Sequence, residues 1–136
     1  MNPNPVWKFV SSQETVVEKL DRGAHLWHCR PDLVKDTNLL MVRVQMPPGQ
    51  AHKFHRHPRM EEILYILSGT AEQWVDKEKR ILKPGDSVYL AADIVHGTYN
   101  IGPDTLDFLA ILSPAQSEGP ATVDVFDEEP WKSLRG

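Results

Sequence analysis

The chain has 136 residues and a formal net charge of −4 at pH 7, with 25% of its residues charged and 40% hydrophobic. This length suits one domain, which buries roughly two-thirds of the surface that its unfolded chain exposes. The negative charge gives no general reason to bind nucleic acid or an anionic membrane, so we expect neither partner. The longest apolar runs have five residues, far fewer than the ~18 that a membrane helix requires.

Cysteine usage and the first residues bear on the cellular location. Residues 1–5 are polar and lack the apolar region of a signal peptide. Cys29 is the only cysteine, so the chain has no internal disulfide, which is compatible with a reducing cytoplasm. We therefore expect a cytoplasmic protein in which Cys29 is a small buried apolar residue, with a reactive thiol as the less favoured alternative.

Residues 1–38 are expected to supply N-terminal strands and a flanking segment that pack on the rest of the domain. Alternating apolar side chains predict strands over residues 6–10 and 25–30. Residues 11–20 leave two alternatives open. A serine and a glutamate three positions apart could cap a short helix, whereas the following threonine and valines favour extended chain.

Residues 39–112 are predicted to form the core of the domain from short strands. Turn signals rich in proline, glycine and charged residues separate the apolar runs, a pattern typical of an antiparallel sandwich or barrel. Residues 76–79 are interpreted as a polar hairpin tip. We find no helix-rich segment that could support a parallel sheet, and no internal repeat. The predicted strands are 39–46, 53–57, 62–67, 70–75, 87–90, 96–101 and 106–112.

Residues 113–136 differ in character and form a C-terminal tail. The alternation in residues 122–126 predicts an edge strand, and residues 127–134 could form a short helix with acidic residues at its start. In that case Trp131 and Leu134 would cover the barrel or a partner subunit. A frayed tail with one docked tryptophan is the alternative.

Four side chains in the core segment have the character of metal ligands. His55 and His57 lie two apart, so they face the same side of an extended strand. Glu62 follows a turn at Pro58 and could fold back beside them, while His96 lies in a separate apolar segment. Neutral imidazoles and one carboxylate suit a divalent Fe, Mn, Zn, Ni or Cu ion.

The surroundings of this group resemble the first motif of the cupin family, G-x5-H-x-H-x4-E-x6-G. Every fixed position is matched, by Gly49, His55, His57, Glu62 and Gly69. The adjacent glutamate also competes for the carboxylate role, but the spacing to Gly69 favours Glu62.

The second cupin motif, G-x5-P-x-G-x2-H-x3-N, is matched at Gly85, His96 and Asn100. The chain departs from it at two positions, where Ala91 replaces the proline and Asp93 replaces the glycine. Both departures lie in the turn before the histidine, so the path of this loop does not follow from the motif.

The resemblance extends over about residues 39–112 and implies an all-β single-domain fold, the double-stranded β-helix or jelly-roll barrel of the small cupins. It further implies one divalent transition metal, held by His55, His57, Glu62 and His96. Four protein ligands leave one or two positions open on an ion that prefers five or six, as metal catalysis requires. A homodimer is common in the family, and the aromatic side chains of residues 7 and 9 and of the C-terminal tail could form its interface.

Other polar residues are candidates for contact with a small-molecule ligand. Arg43 and Gln45 could reach into the barrel and bind a carboxylate or hydroxyl group, or could equally form the solvated face of their strand. Asn100 has the strand parity of His96 and could line the cavity, although packing or turn formation is the simpler explanation. His52 has the opposite parity to His57 and is interpreted as a surface or rim residue, with a supporting or proton-transfer role at the site as the alternative, while His25 is interpreted as an ordinary strand residue.

Two classes of function are compatible with these residues. The first is a metalloenzyme that acts on a small polar molecule as a dioxygenase, isomerase, lyase or decarboxylase. The second is a noncatalytic protein that binds a sugar or another small ligand. We favour the enzyme, although cupin barrels host many functions and the fold does not decide between them.

Overall fold

The protein is described by a computed structural model that covers residues 4–135. Its strands form two antiparallel sheets, with one short helix near the C-terminus. No helix within this range is long and apolar enough to span a membrane. The strands are β1 (Val16–Leu20), β2 (Gly23–Cys29), β3 (Leu40–Met46), β4 (Ala51–Arg56), β5 (Glu61–Ser68), β6 (Ala71–Val75), β7 (Glu78–Leu82), β8 (Ser87–Leu90), β9 (His96–Asn100), β10 (Leu106–Ser113) and β11 (Val123–Asp124), and the helix is α1 (Trp131–Leu134).

The strand order identifies a jelly-roll barrel. One sheet has six strands in the order β1-β2-β3-β10-β5-β8, and the other has five in the order β11-β4-β9-β6-β7. Consecutive strands often lie in different sheets, so the chain crosses repeatedly between the two layers. The predicted all-β jelly roll in a single domain is confirmed.

The main hydrophobic core lies between the two sheets and follows the alternation of the strands. In β3, Val42, Val44 and Met46 are buried on one face. They pack with Phe108 and with apolar residues of β5, β8 and β10, and Leu82 contributes from the other sheet. Because a shift of one residue would move each set to the opposite face, this alternation specifies the register.

Two segments differ from the sequence predictions. Residues 6–10 do not form a strand, and the side chain of Phe9 is 87% exposed. The predicted hairpin tip at residues 76–79 is also too long, because strand β7 begins at Glu78 and the turn is confined to two residues. Asp76 adopts a positive φ of 52° in this turn, a conformation that aspartate tolerates better than most residues.

The ambiguous segment 11–20 contains features of both alternatives. The Ser11 amide donates a hydrogen bond to the Glu14 carboxylate, and the Glu14 amide donates one to the Ser11 carbonyl. These contacts close a turn rather than begin a helix, and extended chain follows from Val16. Cys29 is half-buried rather than buried, and its Sγ lies 3.5 Å from Thr37 Oγ1.

The C-terminal tail is docked along the outside of the five-stranded sheet. Strand β11 pairs with β4, and the Val125 amide donates a hydrogen bond to the Phe54 carbonyl. Trp131 and Leu134 pack against a second hydrophobic cluster, which consists of Phe54, Trp74, Val95, Tyr99 and Val125. Both the predicted edge strand and the predicted helix are present, although each is shorter than expected.

Candidate metal centre

Three histidines converge at one end of the barrel. His55 in β4 pairs directly with His96 in β9, and the centroids of their rings lie 4.2 Å apart. His57 follows the end of β4, with its ring centroid 5.0 Å from that of His55. One nitrogen from each ring lies within 4.8 Å of those from the other two. Such a cluster could offer three imidazole ligands to a single ion.

In all three histidines, Nδ1 faces a backbone carbonyl oxygen and not the other two rings. Nδ1 lies 2.5 Å from the Lys53 carbonyl oxygen in His55, 2.9 Å from that of Ala121 in His57, and 3.0 Å from that of Ile94 in His96. A carbonyl oxygen can only accept a hydrogen bond, so each Nδ1 carries the proton. Each neutral ring is thereby left with a lone pair on Nε2, the arrangement typical of metal-bound histidines.

The Glu62 carboxylate faces the imidazole nitrogens. Its Oε1 lies 3.2 Å from Nε2 of His57 and 3.0 Å from Nε2 of His96. When these rings are neutral, the facing atoms all carry lone pairs. Glu62 Oε1 and His96 Nε2 are accordingly buried without a hydrogen-bond partner. A divalent cation would satisfy both atoms, so the donor set fits a metal ion.

The electrostatics of the four side chains favour a cation. Burial lowers the pKa of His55 to about 3, with a further contribution from His96. Burial alone would raise the pKa of Glu62, but contacts with His57 and His96 lower it to about 2. Burial also opposes protonation of His57, yet its contact with Glu62 raises its pKa above the ordinary value. Without a metal, His57 is therefore the group that holds a proton beside ionised Glu62.

Adjacent glutamates in β5 point to opposite faces of the sheet. Glu62 is 6% exposed and faces the histidines. Glu61 is exposed and accepts a hydrogen bond from the Tyr89 hydroxyl at 3.0 Å. Glu62 therefore points inward, in agreement with the prediction from its spacing to Gly69.

The loop before His96 keeps its shape although the motif's glycine is replaced. Asp93 has a φ of 71°, the left-handed conformation that glycine adopts most readily. Its amide donates a hydrogen bond to the His57 carbonyl, and its carboxylate accepts one from Arg56 at 2.6 Å. Asp93 thus connects the two loops that carry His57 and His96.

A cavity of about 470 Å³ opens beside the histidines, within the range of small-molecule sites. His55, His57 and Glu62 lie in its wall, which is otherwise partly apolar. Another cavity of about 490 Å³ lies beside strands β6, β7 and β8, and no histidine lines it. The metal-ligand side chains thus lie at the first cavity.

A second pair of histidines, separate from the metal-ligand group, lines the same cavity. Nε2 of His25 lies 3.2 Å from Nε2 of His52, and Nδ1 of His25 lies 3.3 Å from a carboxylate oxygen of Glu18. Burial lowers the pKa of His52 to about 3, assisted by His25 and Arg22. Burial and Arg22 also lower the pKa of His25. The interpretations of His52 as a rim residue and His25 as an ordinary strand residue are corrected.

Strand parity gave the wrong orientation for the side chain of His52 because β4 is irregular. The pairing of β4 with β9 shifts register between His52 and His55, so residues three apart face the same cavity. Histidines 27 residues apart carry no local spacing signal, and this pair comes from strands of different sheets.

The other sequence candidates for ligand contact lie outside this cavity. Arg43 donates hydrogen bonds to both carboxylate oxygens of Asp107, on the strand face opposite Val42 and Val44. Gln45 lies on the same face. Both residues therefore belong to the solvated face of their strand, one of the two alternatives that the sequence left open.

Asn100 closes a turn and does not line the cavity. Its Nδ2 donates hydrogen bonds to the Met46 and Asp104 carbonyls, and its Oδ1 accepts one from the Gly102 amide. Turn formation, the simpler explanation given for Asn100, therefore applies.

The tail contributes to the site in a way that the sequence did not indicate. Ala121 and Thr122 line the cavity, and the Ala121 carbonyl accepts the hydrogen bond from His57 Nδ1. This contact uses backbone and not a characteristic side chain, so no sequence pattern marks it.

Comparison with known proteins places these residues in a wider context. The family model described as a cupin domain matches residues 42–112, more than half of the chain. The pectin degradation protein KdgF of Dickeya dadantii is 29% identical over 94 residues, which cover 69% of this chain and 82% of that protein. The oxalate-binding protein of Thermotoga maritima is 32% identical over 73 residues, which cover 54% of this chain and 60% of that protein.

Among solved structures, KdgF from a Halomonas species has a TM-score of 0.71 and 25% identity. The match covers 82% of this chain and 97% of that one. The similarity therefore includes strands outside residues 42–112.

Proposed function

Because the chain belongs to the cupin family, we propose that it is a metal-dependent enzyme that acts on a small polar molecule. One divalent transition ion would be held by His55, His57, Glu62 and His96. The observation that carries this proposal is the approach of His57 Nε2 and His96 Nε2 to the buried Glu62 Oε1, at 3.2 and 3.0 Å, with the imidazole of His55 in the same cluster.

The proposed ion would supply Lewis acidity, and four protein ligands would leave a position for substrate or water. The residues of the chain hold the donor atoms in place before any ion binds. Three backbone carbonyls fix the tautomers of the histidines, and the β5 strand fixes Glu62. The cavity beside them provides room for a substrate and an apolar wall that limits access of water.

A noncatalytic ligand-binding protein is the second candidate. The similarity to a protein described as oxalate-binding favours it, and the metal centre would serve equally well to anchor a ligand. The described contacts suit both alternatives, so the choice depends on turnover.

Metal content and turnover test the proposal together. Protein purified without added metal, or reconstituted afterwards, should carry close to one divalent transition ion per chain. His57→Ala should lose most of this metal, whereas His28→Ala on strand β2 should retain it. A wild-type protein that takes up no metal after reconstitution contradicts the proposal.

The metal-loaded protein should then be assayed with small phenols, keto acids, hydroxy acids and sugars. Oxygen consumption would identify a dioxygenase, and anaerobic conversion would identify an isomerase, lyase or decarboxylase. Ligand binding without turnover across the panel would favour the binding protein.

We also propose a cytoplasmic homodimer. The single cysteine suits a reducing compartment. Trp7 is 69% and Phe9 87% exposed, and such side chains at a strand-rich surface are typical of contacts between subunits. Light scattering at micromolar concentration should give twice the chain mass, and replacement of both aromatics by serine should give the monomer mass.

A further inference from the structure

We propose that Arg22 forms a carboxylate-binding subsite of the metal cavity, which therefore takes a small organic acid with a hydrocarbon body. This inference rests on the proposed metal centre and adds the substrate class. Arg22 lies in the turn between β1 and β2, outside the residues that the family model matches. The subsite is thus a property of this chain and not of the shared motifs.

Arg22 is a cation without a counterion at the cavity. Its side chain lines the cavity and forms neither a hydrogen bond nor an ion pair with the described residues 4–135. The neighbouring cation, Lys53, is placed differently, since its ammonium group lies over the ring of Phe126. Arg22 is therefore available for a bidentate contact with a carboxylate.

Neither carboxylate of the same hairpin, Asp21 or Glu18, forms an ion pair with Arg22. Glu18 Oε1 lies 3.3 Å from His25 Nδ1 and accepts a hydrogen bond from Trp27 Nε1 at 3.4 Å. The negative charge of Glu18 is thus directed toward side chains of β2. With a divalent ion in place, the ion, Arg22 and Lys53 would together carry more positive charge than Glu18, Glu62 and Asp124 carry negative charge, which favours an anionic ligand.

Arg22 and the proposed ligands His55, His57 and Glu62 line the same cavity. The His25–His52 pair lines this cavity as well. Ring centroids are separated by 5.2 Å between His25 and His52, and by 6.5 Å between His52 and His55. A ligand that contacts both the ion and Arg22 therefore needs several carbon atoms between its two polar ends.

The wall between these ends is apolar. Trp27, Val42, Val44, Met60 and Leu112 are among the residues that line it. A cavity of about 470 Å³ with this lining is larger than a two-carbon dianion requires, and it would bury hydrocarbon favourably. The acid is expected to carry an aromatic or branched aliphatic body and a second oxygen function that reaches the ion.

A matched pair of probes tests the subsite. One is 3-(3,4-dihydroxyphenyl)propanoate, whose catechol group can bind the ion while its carboxylate reaches Arg22. The other is the corresponding neutral amide. Affinities of both for the Co(II)-loaded protein should be measured at pH 8 by calorimetry, and the visible spectrum should report whether the catechol has reached the ion.

Wild-type protein should bind the acid roughly ten-fold more tightly than the amide, because a charge-assisted contact contributes about this much. Arg22→Gln should abolish the preference without changing the metal content. Arg80→Gln, which removes an equal charge from the other cavity, should leave the preference intact.

Equal affinities for the two probes in the wild type, or equal losses in the two variants, would overturn the subsite while the metal centre stands. Failure of the protein to take up Co(II), or a spectrum unchanged by either probe, would overturn the proposed function and this inference with it.

Discussion

The carbonyl of Ala121 accepts a hydrogen bond from Nδ1 of His57 at 2.9 Å, across 64 residues of sequence. The C-terminal tail thus determines which nitrogen of a candidate ligand faces the centre. Partners of this kind orient the ring and increase its basicity toward a metal.

Detachment of the tail should therefore weaken metal binding. Trp131→Ala removes an aromatic side chain that packs on the second hydrophobic cluster. We expect a loss of about 2 kcal/mol in the free energy of unfolding, since Trp131 is only partly buried. Metal affinity should fall by about ten-fold, measured by competition with a chelator. The exposed neighbour Lys132→Ala serves as control, and an unchanged affinity in Trp131→Ala would mean that the tail does not support the centre.

The two adjacent glutamates should behave differently on substitution. Glu62→Gln keeps the shape of the side chain and removes the charge that faces His57 and His96. Metal affinity should fall by more than the roughly 10–100-fold that loss of an outer partner causes. Glu61→Gln should change it little, because Glu61 is exposed and bonded to Tyr89. The reverse result in a metal titration would require a β5 register shifted by one residue.

The metal-free protein should lose stability in acid. The pKa values of His52 and His55 are lowered from 6.5 to about 3, so the unfolded chain binds protons between these values and the folded chain does not. The free energy of unfolding should fall as pH decreases below 6.5, on the order of 3 kcal/mol for each ring by pH 4.

His57 acts in the opposite direction over a narrower range. Its raised pKa gives stability that is present below 6.5 and is lost as pH rises through the folded value. Urea unfolding between pH 4 and 8 measures both effects. His52→Gln should flatten the acid side of the profile, and a profile as steep as that of the wild type would refute the assignment.

Asp93 tests whether the altered motif keeps the loop. Its φ of 71° is unfavourable for residues with a Cβ. Asp93→Gly relieves this cost but loses the ion pair with Arg56, worth about 0–1 kcal/mol at a surface, so stability should change little. Asp93→Ala loses the pair and keeps the strain, so it should be about 1–2 kcal/mol less stable than Asp93→Gly in thermal unfolding. Equal stability of the two variants would show that the conformation of residue 93 is unimportant.

The spacing of three candidate ligands, His55, His57 and Glu62, is local, whereas His96 was predicted from its match to the second cupin motif. Gly49 through Gly69 lie on a single stretch of β4, turn and β5, where strand periodicity determines which side chains share a face. The alternation of β3 was predicted for the same reason. Departures occurred where local rules are interrupted, as at the register shift between His52 and His55.

Contacts between distant segments were not predictable in this way. The pairing of His25 with His52 and the bond from His57 to Ala121 join residues from different elements. Their formation depends on the closure of the barrel and the docking of the tail. The prediction of a strand at residues 6–10 was wrong for a related reason. Apolar alternation predicts a strand only where the edge of a neighbouring strand is available to pair.

The position of residues 114–122 affects how the specificity of this protein could change. This segment precedes β11 and places Ala121 and Thr122 in the cavity wall, yet it contributes no strand to either sheet. Loops of this kind accept insertions and substitutions more readily than the strands that they connect. New ligand preferences could therefore arise by remodelling this loop, while the barrel and its histidines remain the same.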